Sequence, residues 1–188
     1  MSGYALAQHD RMLAGVALAT YVVALDLTGS PPMCRVSNGE WTSAWVRWHS
    51  LAAGKARHWR APSMGEQGML ISPSGDPAQG TFVPGLYGDA GPPPDNRDHV
   101  EVWRFDDGGS LVYDWEANTY TITLPTGTVT IKVGASVATV TDNAVSVEST
   151  AITLKGAVKV DGPLLVTGAV TGQSTIMDAA GNSNNHSH

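Results

Sequence analysis

The sequence predicts an all-β protein with a short N-terminal helix: an OB-fold barrel followed by a slender β-helix wound from three chains. Three observations carry this expectation. All six tryptophans lie at or before Trp115, and Tyr120 is the sole aromatic beyond it. From Ala117 to Ile176, 27 of 60 residues are Val, Ile or Thr. Turn signals built from Gly, Pro, Asn and Asp punctuate short β-branched runs along most of the chain.

Composition narrows the class further. The 188 residues are 42% hydrophobic and 15% charged, with a net charge of −6. That is too apolar for a wholly disordered chain, and no run of about 18 apolar residues is present to span a membrane as a helix. The acidic balance, with a pI near 5.3, argues against nucleic acid as a partner, which calls for a basic footprint. Cys34 is the single cysteine, so no intrachain disulfide can form.

The uncharged run Met12–Leu25, with Ala17-Leu18-Ala19 inside it, has the outline of a secretory leader. Asp10 cancels Arg11, and cleavage after Ala19 leaves too short an apolar segment. The better reading is a helix from about Tyr4 to Ala19, handing over to a β-branched strand at Tyr21. Strands are then expected at Tyr21–Leu27, Met33–Ser37, Ala44–His49, Gly68–Ser72 and Thr81–Tyr87, five in roughly 70 residues, which suits a small barrel of the OB type. Gly91-Pro92-Pro93-Pro94-Asp95 reads as a stiff linker. A hairpin follows, His99–Phe105 and Ser110–Trp115, turned through Asp106-Asp107-Gly108-Gly109.

Seven short strands are expected next: Thr119–Leu124, Thr128–Val133, Val137–Thr141, Val145–Glu148, Ile152–Leu154, Val158–Val160 and Leu164–Val166, with turns about every ten residues. Even spacing of short strands signals a β-solenoid, a propeller or a sandwich. One chain with a narrow apolar face and no large side chains leaves that face wet. Three copies about one axis bury it; a two-sheet sandwich is the alternative.

Candidate chemistry is sparse. Trp45, Arg47, Trp48, His49, Lys55, Arg57, His58, Trp59 and Arg60 interleave cations with aromatics, as a single-strand nucleic-acid platform would. The other reading is ordinary core and surface packing. Cys34 sits inside an expected strand and reads as a buried structural thiol. Asp106-Asp107 are turn residues, and neither a Gly-x-Ser-x-Gly elbow nor a phosphate loop is present. No catalytic residue is expected, and no enzyme. His186 and His188 form an i, i+2 pair whose rings share one side of an extended backbone. Tripled about an axis they supply six nitrogens, enough for an octahedral metal; taken singly they are a plain tail.

The run Arg57-His58-Trp59-Arg60-Ala61-Pro62-Ser63-Met64-Gly65-Glu66-Gln67-Gly68-Met69-Leu70-Ile71 resembles the central spikes of contractile injection machines, the baseplate assembly protein V family of contractile-tailed phages and R-type pyocins. So do Gly80–Tyr87, Arg104–Tyr113, the Thr/Val repeat and the terminal His-x-His, in the same order. The resemblance implies a homotrimer that pierces the bacterial outer membrane at the tip of a phage tail or tailocin. It would seat in the baseplate hub beneath the tail tube and be assembled in the host cytoplasm. It also implies an iron ion, one per trimer on the three-fold axis, held by His186 and His188 of each chain, and calcium or chloride along the axis in some members. In the family, residues after the His-x-His fold back to finish the tip, whereas this sequence ends at His188. The expected organisation is an N-terminal helix (1–20), an OB-fold domain (21–95), a connecting hairpin (96–116), a triple-stranded β-helix (117–176) and an apex with the His-x-His (177–188).

Overall fold

The computed structural model describes residues 3–173. The chain divides into two compact units, Met1–Pro125 and Thr126–His188.

The first unit opens with helix α1 (Gly3–Ala14), none of whose residues is buried. It stops at Ala14, not near Ala19 as the sequence suggested. Gly15 ends it, donating its backbone N–H to the carbonyl of Arg11. Residues 17–19 then find cross-strand partners in Ile71, Leu70 and Met69. Tertiary pairing overrides the local helical pattern there.

Strand β1 (Ala17–Asp26) is long because it serves two neighbours. Its first half pairs antiparallel with β4 (Gln67–Ile71) and its second half with β2 (Met33–Ser37), with a bulge between Val22 and Ala24. Such a bulge adds twist and bends the strand, which lets one strand turn a barrel corner. β5 (Thr81–Pro84) pairs antiparallel with β4 and parallel with the two-residue β3 (Arg47–Trp48). Reciprocal 2.9 Å backbone hydrogen bonds between Cys34 and Val46 close the ring from β2 back toward β3. The order β2-β1-β4-β5-β3, closed by that bridge, is a five-stranded Greek-key barrel of the OB type. β3 is shorter than the expected Ala44–His49, since only Arg47 and Trp48 gain a ladder partner on β5.

The barrel core is Val22, Cys34, Val36, Val46, Leu70 and Phe82, with Leu18, Leu25, Trp41 and Trp48 packed around it. Phe82 is fully buried, and its ring lies over Gly68, where a Cβ would meet ring carbons at 2.6 and 2.7 Å. Only glycine leaves that space. Burial raises the Cys34 thiol to about 11, so it is an inert core side chain, as the sequence indicated.

A three-stranded meander completes this unit: β6 (Val100–Arg104), β7 (Ser110–Asp114) and β8 (Thr119–Thr123). β8, which opens the Val/Thr repeat, is hydrogen-bonded to the hairpin through the pairs Tyr113–Tyr120 and Leu111–Ile122. Arg97 ties the proline-rich linker to this sheet, reaching Asp95 at 2.8 Å and Asp114 at 3.1 Å. The Arg97 hydrogen bond holds the Asp95 carboxyl well below the ordinary carboxylate range.

The second unit contains a second antiparallel meander, β9 (Val129–Val133), β10 (Ser136–Val140) and β11 (Val145–Glu148). The expected strands Ile152–Leu154, Val158–Val160 and Leu164–Val166 have no ladder partner among the described residues, and every residue from Thr141 to Gln173 is exposed. The sequence alternates there, but no described residue of the same chain pairs with it.

Candidate functional site: unpartnered apolar sheet faces

Register decides what each meander presents. In the second unit Val129 opposes Val140, Ile131 opposes Ala138, and Val133 opposes Ser136. On the other side of β10, Ala138 opposes Val147 and Val140 opposes Val145. Side chains directly opposite one another share a face. One face is therefore Val129, Ile131, Val133, Ser136, Ala138, Val140, Val145 and Val147. The reverse face carries Thr130, Lys132, Val137, Thr139, Ser146 and Glu148. One-sided polarity of this kind is the signature of a sheet that packs on something. Yet Ile131 is 66% exposed, Val133 75% and Val145 73%.

The first meander repeats the pattern with larger side chains. Trp103, Leu111, Tyr113, Tyr120 and Ile122 share one face across β6, β7 and β8. The rings of Tyr113 and Tyr120 stand 6.3 Å apart. A shallow cavity of about 300 Å³ opens between Glu101, Trp103, Leu111, Tyr113 and Tyr120. Full burial of each Val, Ile or Leu is worth about 1.5–3 kcal/mol, so two sheets left in this state forgo a large stabilisation.

The cation–aromatic run of the barrel is used differently. Trp48 packs on the barrel core and stands 5.7 Å from Trp59. His58 meets Trp103 edge-on at 5.8 Å, and the Arg35 guanidinium lies 5.9 Å from the Trp45 ring. Arg60 grips Glu66 through its two terminal guanidinium nitrogens, Nη1 and Nη2, at 2.9 and 2.6 Å. Burial alone would raise the Glu66 carboxyl, but the Arg60 contact and the Ser63 N–H bring it below its ordinary value. The ion pair closes the loop from Arg60 to Glu66 just before β4. His49 reaches Thr81 at 2.9 Å, while Lys55 and Arg57 lie on an exposed loop. These side chains do not converge on a catalytic constellation, and the described residues include no group of three or more His, Cys, Asp or Glu placed to hold a metal. His186 and His188 lie outside the described residues.

The sequence also carries a shorter period. From Ile152 the chain repeats every six residues: Ile152-Thr-Leu154-Lys-Gly156-Ala157, Val158-Lys-Val160-Asp-Gly162-Pro163, Leu164-Leu-Val166-Thr-Gly168-Ala169. Aliphatic residues hold the first and third places and glycine the fifth. The ten-residue spacing of the upstream turns obscured this shorter period.

Comparison with known proteins agrees with this division. Residues 19–87 match the type VI secretion system/phage-baseplate injector OB domain. Residues 101–172 match the Gp138 beta helical trimerization domain, which takes in both meanders and the six-residue repeat. The spike protein of Escherichia phage P2 is 33% identical over 121 residues, covering 63% of this chain and 56% of that protein. The chain thus spans little more than half the length of the curated relative it matches. With an injector-type OB domain, a β-helical trimerization domain behind it and a spike protein as relative, the chain is similar to the phage baseplate spikes.

Proposed function

We propose that three copies of this chain form the cell-puncturing spike at the tip of a contractile phage tail or tailocin. The OB barrel seats in the baseplate hub beneath the tail tube, and sheath contraction drives the shaft through the outer membrane of the target bacterium. The observation that carries this reading is the pair of one-sided apolar sheet faces within residues 101–172, the stretch that matches a trimerization domain. Three such faces turned toward one axis bury what a single chain leaves exposed. Piercing needs a narrow body that does not unfold under load, and sheath contraction supplies the work. No catalytic group is required of the spike itself.

The same reading assigns the tip. His186 and His188 of three chains offer six neutral imidazoles. Six nitrogen donors disfavour zinc, which settles at four, and suit an octahedral first-row metal such as iron. Each tail from Gly181 to His188 has no apolar residue to anchor it, so a shared ion would hold three chain ends at one point. The test is the double variant His186→Ala with His188→Ala in intact particles. Elemental analysis of tag-free parent protein should give one metal per three chains, and the variant none. Variant particles should assemble and contract but lose killing. Metal content unchanged in the variant would reject the site, and failure to assemble would move the role of the tip from piercing to nucleation.

A further inference from the structure

The first meander has an open edge. Among the described residues, β6 (Val100–Arg104) pairs with β7 on one side and with no strand on the other. Its ladder shows which backbone groups are used: Phe105 donates its N–H to the Gly109 carbonyl at 2.8 Å, and the His99 carbonyl accepts from Trp115 at 3.1 Å. In an antiparallel pair such residues alternate with residues whose N–H and C=O turn away. Glu101 and Trp103 therefore face β7 with His99 and Phe105, and Val100, Val102 and Arg104 turn their backbone groups to the open side. No described residue hydrogen-bonds to them there. Natural edges of this kind are blunted by proline, bulges or lysine; from Val100 to Arg104 the register is unbroken and none of these occurs.

A groove accompanies the edge. A cavity of about 860 Å³ is lined by Val102, Arg104, Tyr87 and the Pro92–Pro94 run. Consecutive prolines keep that wall extended and stiff before anything binds. A second cavity of about 320 Å³ shares Arg60, Tyr87 and Arg104 with the first, and a third of about 380 Å³ shares Arg60 and Trp103. The stretch Trp41–Gly65, which supplies His49, His58 and Arg60 to the groove, carries four cations, Arg47, Lys55, Arg57 and Arg60, and no carboxylate, in a chain of net charge −6. Of the two carboxylates in the groove walls, Glu66 is held by Arg60 and Asp106 lies in the hairpin turn. Arg104 is exposed and meets no carboxylate among the described residues.

We propose that this edge is a strand-addition site, where an extended acidic segment of a partner protein pairs with Val100, Val102 and Arg104 and lengthens the sheet. An added strand alternates its side chains between the two faces. Carboxylates at every second position then fall on the side of Arg104, and apolar side chains between them fall on the side of Trp103. The inference goes beyond the spike reading and adds a second kind of contact to it.

A fluorescein-labelled peptide alternating Glu and Val, titrated into the purified chain and followed by anisotropy, is the probe. Saturable binding that weakens with salt is expected, and a Lys–Val peptide should not bind. Val102→Pro removes an outward N–H and leaves the ladder to β7 intact. Arg104→Glu reverses an exposed charge and does not depend on how the edge tolerates proline. Each should weaken binding about tenfold or more, and Arg11→Glu on α1 should leave it unchanged. The amides of Val102 and Arg104 should exchange fast in the protein alone and slowly once the peptide is bound. No binding to the folded chain, equal binding of the Lys–Val peptide, or tighter binding of a single-stranded oligothymidylate would overturn the proposal. So would protection of those two amides without peptide, since a second copy would then already cover the edge. None of these results changes the mass of the assembly, so strand addition can fail while the spike reading stands.

Discussion

Ile131→Asp should abolish the trimer or lower its melting temperature steeply. Ile131 sits in the middle strand position of the apolar face, opposite Ala138, with Val129 and Val133 on either side. In three copies about an axis the change places three carboxylates in one dry interior. Each unpaired buried charge costs several kcal/mol, and mutual repulsion adds to that. Thr130→Asp is the matched control. It is the next residue on the same strand, its partner is Thr139, and its side chain lies on the polar face, so its effect should stay within about 0.5 kcal/mol. Sedimentation and thermal melts of both variants decide the matter. Equal tolerance of the two would mean that the apolar face does not point inward.

Phe82→Ala should strongly destabilise the barrel without altering the chemistry of the shaft strands. Phe82 is the largest fully buried side chain and fills the space that Gly68 leaves open. Truncations of this kind cost about 3–5 kcal/mol, because the removed ring leaves a cavity that its neighbours only partly close. For a domain of this size the barrel's transition should fall by about 12 °C or more. A shift of only a degree or two would place Phe82 outside the core.

The barrel was legible because its signals are local. Alternation in Met33–Ser37 and around Gly68–Ser72, with Gly and Pro turns between, is enough to place strands, and five short strands close in few ways. The end of α1 was less so. Leu18 and Ala19 continue a helical pattern, and only the distant partners Leu70 and Met69 make them a strand. Composition placed Thr119–Thr123 with the aromatic-poor repeat, whereas its Tyr120 sits opposite Tyr113 in the hairpin's own sheet. Beyond Glu148 the alternation suggested strands at Ile152–Leu154, Val158–Val160 and Leu164–Val166, and the described residues there form no ladder within the chain. What marks that stretch in the sequence is a six-residue repeat, Ile152 to Ala157 and its two successors. The His-x-His is visible in the sequence only as a residue pair; two imidazoles alone do not specify a metal, and iron there is what the family resemblance implies.

Native mass spectrometry of the 188-residue chain tests most directly whether it functions as three copies about one axis. The account predicts a single species at three times the 19.7 kDa chain mass, persisting on dilution to low micromolar concentration. A folded, monodisperse 19.7 kDa monomer under the same conditions would contradict it.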